Sequence, residues 1–226
     1  MLASAFGWIP TLGARLARAT FEPDLLISDG EAYLVANPLA LGSPDAEKTI
    51  EGWLPFRSVF DMVASGRRHV MMGASQIDRF GNQNISCIGD WSMPKAQLIG
   101  VRGAPGNTIN HPTSYWVPNH SPRVFVPNVD FVSGVGYSRA AEAKAVHHEI
   151  RGIVTNLAVL DFETPDRSMR LRSLHPGVSV DEVVAATGFP LVIPGSISPT
   201  RTPTDDDLAL IREVLDPAGL RKTEVK

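Results

Sequence analysis

Two carboxylates flank a glycine in "LISDGEAYL", residues 26–34, where a short apolar run reaches Ser28 and gives way to Asp29, Gly30 and Glu31. A carboxylate at a strand end can serve as a nucleophile or a general base. The same residues can equally close a strand in a turn, which Asp and Gly both favour. Further along, "MGASQIDRFGNQN", residues 72–84, sets small residues directly after an apolar run and then brings Asp78, Asn82 and Asn84. Small side chains there would let the backbone N–H groups of Gly73, Ala74, Ser75 and Gln76 approach a ligand oxygen, as in an oxyanion hole or anion nest. The competing reading is an ordinary loop with Asn in turn positions. "VRGAPGNTIN", residues 101–110, repeats the pattern with Gly103, Ala104, Pro105, Gly106 and Asn107, and places Arg102 just upstream. A guanidinium beside a glycine turn suits a carboxylate or phosphate, although a surface ion pair would also explain it. Both loops follow apolar runs, and ligand sites of α/β sheets gather at strand C-termini.

Other reactive residue types point to structure. No histidine among His111, His120, His147, His148 and His175 sits beside a serine or cysteine in a nucleophile-elbow context, and none pairs at metal-ligand spacing. Cys87 in "NISCIGD" is flanked by apolar residues and reads as a buried thiol. Trp8, Trp53, Trp91 and Trp116 read as core or subunit-interface aromatics.

The elements that would hold these loops alternate helix and strand. "PTLGARLARATF" is read as a helix started by Pro10 and Thr11 and carrying Arg15 and Arg18, followed by a strand in "EPDLLIS". "FRSVFDMVASGRRHVMMGA" repeats the order, with Phe60 on an apolar helical face, Gly66 at the C-cap and a strand over His69–Gly73. Such units build a mainly parallel sheet covered by helices. After residue 149, "EIRGIVTNLAVLDFE" and "RSMRLRSLHPGV" read as hairpins. "SVDEVVAATG" carries a capping box of Ser179 with Glu182, closed by Gly188, and "TPTDDDLALIREVLDP" runs from an N-cap at Thr204 to a stop at Pro217. Residues 73–138 are rich in Gly, Asn and Pro loops, whose ordering costs conformational entropy and points to a function.

Composition sets the limits. The 226 residues, 43% of them apolar, suffice for one large α/β domain over 1–226. A net charge of −3 lacks the basic field of a nucleic-acid binder. One cysteine excludes an internal disulfide framework and fits a reducing, cytoplasmic setting. No apolar run approaches the ~18 residues that span a bilayer, and no metal or nucleic acid is expected.

"GASQIDRFGNQNIS", "IGD…PK", "RGAPGN", "LHPGVSVDEVVAATGF" and "DDDLALIREVLDP" occur in this order over nearly the whole chain. They resemble the β subunit of family I coenzyme A transferases, such as glutaconate CoA-transferase. The resemblance implies an open, mainly parallel sheet with helices on both faces, an α subunit of related fold, and an α2β2 heterotetramer with the active site between α and β. In that family a glutamate ends a strand in a Glu-Ser-Gly or Glu-Asn-Gly context and carries the acyl and CoA groups. The matching position here is Ser28, ahead of Gly30. Asp29 would point to the opposite face of the strand.

"GARLAR", "EGWLPF", "GRRHVMMGA", "RGAPGNTINHPTSYWVPNH" and "VSGVGY" resemble more continuously one branch of the family, the actinobacterial steroid-ring-cleaving CoA hydrolases. That resemblance implies hydrolysis of a carbon–carbon bond in a cyclic keto acyl-CoA. It also implies a catalytic base in the α subunit, and no cofactor beyond the coenzyme A of the substrate. By motif match, Arg102 would hold anionic substrate groups, and the backbone of 73–76 and 103–107 would supply donors. Asp29, Glu31, Asn82 and Asn84 would support the site. A transferase recruiting Asp29 or Glu31, and a non-catalytic scaffold, are the alternatives. Family β subunits usually begin with a further helix and strand, so an exposed sheet edge is expected at the front.

Overall fold

In a computed structural model, which describes residues 1–63 and 65–225, the chain divides into two compact units, Met1–Met71 with Arg201–Lys226, and Met72–Thr200. In the first unit β1 (Leu2–Ala5) leads into helix α1 (Trp8–Thr20), then β2 (Leu26–Ile27), β3 (Tyr33–Val35), β4 (Ile50–Trp53), helix α2 (Phe56–Val63) and β5 (Arg68–Met72). β1 lies between β2 and β5 and pairs parallel with both, while β3 and β4 form an antiparallel hairpin.

The strand β1 is absent from the sequence reading. Its residues, "LASA", are too small and too few to show a period. Helix α1 also begins two residues before Pro10, because the Glu224 carboxylate accepts from the N–H groups of Trp8 (2.5 Å) and Ile9 (3.0 Å). A cap supplied from more than 200 residues away leaves no local signature. The apolar side of α1 packs Leu12 against Leu41 and Leu215, with Leu16, Ile211 and Leu220 around them. Each such side chain stabilises by roughly 1.5–3 kcal/mol when fully buried. The helix α2 forms as expected, but Phe56 and Phe60 stay exposed and stack edge to face at 5.1 Å.

The second unit opens with short hairpins, β6 (Gln76–Ile77) with β7 (Gln83–Asn84) and β8 (Cys87–Ile88) with β9 (Ala96–Gln97). Helix α3 (Ala104–Asn110), β10 (Pro112–Val117), helix α4 (Tyr137–Glu142), β11 (Glu149–Thr155), β12 (Ala158–Asp161) and β13 (Arg170–Leu174) follow, then helix α5 (Val180–Ala185) and β14 (Ser198–Pro199). The pairs β10–β11 and β13–β14 are parallel, and β11–β12–β13 is the antiparallel meander the sequence indicated. β10 is buried at five of its six positions, as a strand covered on both faces must be. Tyr115, Ile153, Leu160, Phe162, Met169 and Leu171 form the core of this unit.

The capping box at Ser179 and Glu182 is present, but α5 ends at Ala185, short of Gly188. Gly188 serves packing instead, since a Cβ there would lie 2.4 Å from the Phe125 carbonyl oxygen. The N-cap at Thr204 is present too, opening helix α6 (Asp205–Ala209), which continues as a π-helical stretch over Leu210–Leu215 before Pro217. The architecture is α/β with a mostly parallel central sheet, as the sequence indicates.

Candidate functional site

At the end of β2 the chain turns through Ser28, Asp29 and Gly30 and bridges back from Ser28 to Leu34. Gly30 adopts φ +87°, a left-handed value that glycine accepts without strain, and its N–H donates to Ser28 Oγ at 3.0 Å. Asp29 is the organiser of this corner. Its Oδ1 accepts from the N–H groups of Glu31 (2.9 Å) and Tyr33 (3.1 Å), its Oδ2 accepts from Lys48 Nζ at 2.9 Å, and its side chain is 1% exposed. Burial alone would raise its pKa, but the Lys48 ammonium and the two backbone donors outweigh it and hold the carboxyl below its ordinary range. Glu31 points outward with 78% of its side chain exposed, 3.9 Å from Lys48.

Beside this corner the first unit contains a cavity of about 220 Å³, lined by Arg15 and Arg18 of α1, Ser28, and apolar side chains that include Ile27, Val35 and Leu39. Among the described residues no carboxylate lines it. Arg18 is bidentate to Glu51, at 2.6 and 2.7 Å, and donates to the Val35 carbonyl. Arg15 donates to the Leu39 carbonyl at 2.7 Å.

In the second unit the loop of residues 73–84 is built by its polar side chains. Asn84 Nδ2 donates to Gln76 Oε1 (2.7 Å) and to the Cys87 carbonyl (2.6 Å), while its Oδ1 accepts from Ser86 N–H (2.9 Å). Gln76 Nε2 reaches Asp130, which also accepts from Gly89 N–H. Asn82 joins Asp78, Ser138 and the Gly136 N–H. Asn82, Asn84 and the Gln76 side chain are therefore buried and engaged, and they hold the loop. Asp78 Oδ1 caps Phe80 and Asn82 N–H groups, at 2.9 and 3.0 Å; burial raises its pKa against those donors and the charge of Arg139.

Of the four amides that the sequence singles out here, Ser75 N–H donates to the Asn84 carbonyl. Gln76 lies in β6, paired with Asn84 of β7. Gly73 and Ala74 N–H have no acceptor among the described residues. Gln83, which the sequence reading passed over, is fully buried and donates from Nε2 to the Gly73 carbonyl at 2.6 Å. In a planar trans peptide that bond turns the Ala74 N–H away from Gln83. A glutamine between two asparagines, just after Gly81, was the available sequence signal.

Residues 101–110 differ from the loop expected of them. Gly103 is the N-cap of α3, Ala104 N–H bonds to the Val101 carbonyl and Asn107 N–H to Gly103, and Pro105 carries no N–H. Their glycines read as loop because a helix of seven residues containing Pro105 and Gly106 has no helical propensity of its own. Arg102 is exposed, has no side-chain partner among the described residues, and adopts φ +50°, a conformation that costs a non-glycine residue energy.

Histidines and the thiol behave as structural groups. His120 stacks on Phe125 at 3.9 Å between Thr155 and Thr187 hydroxyls, and burial lowers its pKa to about 4. Cys87 is buried. Trp116 is buried, whereas Trp53 is 73% exposed and Trp91 stacks on Phe131 at the surface. A cavity of about 530 Å³ in this unit, at Tyr137, Lys144, His148 and Arg167, contains none of the candidate site residues. Among the described residues no cluster of His, Cys, Asp or Glu could hold a metal, and no helix is long and apolar enough to cross a membrane.

Comparison with known proteins places this geometry. The family model described as Coenzyme A transferase matches residues 57–186. The "Cholesterol ring-cleaving hydrolase IpdB subunit" of Rhodococcus jostii RHA1 is 55% identical over 100% of this chain and 88% of its own length. The protein of the same name from Mycobacterium tuberculosis H37Rv is 53% identical over 96% and 87%. The crystal structure of Rhodococcus jostii RHA1 IpdAB superposes with a TM-score of 0.93 at 56% identity, covering 100% of this chain and 91% of the matched one.

Proposed function

The chain belongs to the coenzyme A transferase family, and from that premise we propose that it is the β-type subunit of a heteromeric hydrolase that opens a ring of a steroid-derived cyclic keto acyl-CoA. Its end-to-end similarity to subunits bearing that name supports the assignment. One observation carries the choice of hydrolase over transferase. Where the family resemblance puts a nucleophilic glutamate, the chain has Ser28, and among the described residues the cavity beside it is lined by no carboxylate. Asp29 is held by Lys48 and two backbone donors, and Glu31 faces solvent.

Water then attacks the ring ketone, with a base from the α subunit taking its proton. The ring carbon–carbon bond breaks, its electron pair passes to an enolate, and a proton completes the acyclic product. Donors for the developing oxyanion are the Ala74 N–H, aimed by Gln83, the Gly73 N–H, and the Gly103 and Gly106 N–H groups at the start of α3. Arg102 holds anionic groups of the acyl-CoA. Coenzyme A enters as part of the substrate, and no further cofactor is used. We infer an α2β2 heterotetramer working in the cytoplasm. The exposed aromatics Trp53, Phe56 and Phe60 support a buried interface on this chain.

The test is to co-purify the chain with its α subunit and follow a cyclic keto acyl-CoA by mass spectrometry. The expected result is addition of one water with ring opening, native mass consistent with two copies of each subunit, and no carboxylate of this chain trapped by hydroxylamine. Intact substrate on a complex that binds it refutes the assignment; a trapped acyl-carboxylate on Asp29 or Glu31 makes the protein a transferase.

A further inference from the structure

Arg15 and Arg18 lie one turn apart on α1 and line the same cavity, yet their surroundings differ. Arg18 has a bidentate carboxylate partner in Glu51 and a carbonyl in Val35. Arg15 is half-buried, and among the described residues its only hydrogen bond goes to the neutral Leu39 carbonyl. Among the described residues it forms no ion pair. Burial depresses its pKa, with no anion to offset the desolvation. A guanidinium has five N–H donors and keeps its charge at any physiological pH, so a half-buried one with a single neutral protein acceptor leaves most of its donors available to a ligand. The Ser28 hydroxyl accepts from Gly30 N–H and still has its own hydrogen to donate into the cavity. The remaining wall is largely aliphatic, from Ile27, Val35, Leu39 and the flanking prolines.

We propose that this cavity is a carboxylate subsite: Arg15 pairs with a free carboxylate on the substrate, Ser28 donates to the same group, and the aliphatic wall takes the alicyclic body that bears it. The position that carries a nucleophile in transferases would then serve recognition. The ligand class is an alicyclic carboxylic acid, and a volume of about 220 Å³ admits one ring with its carboxylate. The identification of the carboxylate as the substrate's own rests on the ring-hydrolase reading above; the existence of the anion subsite does not.

Two measurements on the assembled complex separate these. The first is turnover of a cyclic keto acyl-CoA bearing a free carboxylate, compared with its primary amide. Wild type should favour the carboxylate by roughly 10- to 100-fold in kcat/KM, the range for one charge-assisted contact. Arg15→Gln should bring that preference to within about threefold with KM carrying most of the change, and Arg15→Lys should restore part of it. The second is calorimetric binding of cyclohexanecarboxylate, which needs no turnover. Wild type should bind it, and Arg15→Gln should weaken binding at least tenfold. Equal binding by both, or none by wild type, overturns the subsite. Tight carboxylate binding without ring opening sinks only the hydrolase reading. An Arg15→Gln chain that no longer assembles with its α subunit, while Arg15→Lys does, shows that the positive charge holds the partner and also overturns the proposal.

Discussion

The corners at Asp29 and Asp78 are built alike, and their carboxyl pKa values are shifted in opposite directions. In each, one carboxylate oxygen caps the N–H groups two and four residues ahead. In the first, the other oxygen meets Lys48; in the second it meets only the amide of Asn82. The motif's backbone donors lower both carboxyls, yet burial outweighs them and raises the pKa of Asp78, while at Asp29 the Lys48 ammonium adds to them and the pKa falls. The lesson is that an aspartate in a Gly/Asn-rich turn reports the turn, while its ionisation reports what faces its second oxygen. Asp29 is a candidate catalytic carboxylate in the sequence, yet it, like Asp78, is occupied with holding backbone.

The largest effect should come from the Asp78 corner. Asp78→Ala leaves three buried donors without an acceptor, a loss of about 3 kcal/mol or more by urea denaturation. Gly136→Ala should do comparable damage, since its Cβ would lie 2.2 Å from Asn82 N and 2.3 Å from the Phe80 carbonyl oxygen. A loss below about 1 kcal/mol in both would mean that this loop yields easily.

Asp29→Ala should be milder, about 2 kcal/mol, because its donors lie nearer solvent and can recruit water. If it proves more damaging than Asp78→Ala, the ranking of the two corners is reversed. Gly30→Ala should cost about 1 kcal/mol, from the left-handed backbone alone, as nothing lies within 4 Å of the added methyl.

The subtlest difference is one of sign with pH. A lowered folded pKa means that Asp29 stabilises above its ordinary value near 4 and loses that contribution as pH falls through the folded value. A raised folded pKa means that Asp78 contributes fully below about 4 and loses that contribution as pH rises through the folded value. Thermal melts of Asp29→Asn against wild type should converge on acidification below about pH 4, whereas Asp78→Asn should gain on wild type as pH rises above it. Parallel curves for both variants would contradict the contrast.

How much was legible follows range of interaction. The capping boxes at Ser179 and Thr204 and the meander after residue 149 were readable because their partners lie within a few residues or one hairpin. The strand β1 and the early start of α1 were not, because one consists of four small residues and the other depends on Glu224. The helix α3 was missed because Pro105 and Gly106 oppose it locally, and Phe60 was expected to be inside because periodicity reports an apolar face without saying what covers it.

The site divides the same way. The order of residue types along the chain already carried the family, the serine at position 28 and the small-residue turns, since these are properties of identity and spacing. Which carboxylates were free, that Arg18 was satisfied while Arg15 was not, and that Gln83 aims the Gly73 peptide were decided by tertiary contacts spanning 10 to 33 residues. Charge and hydrogen bonding act through space, and a chain lists its groups without saying which of them will meet.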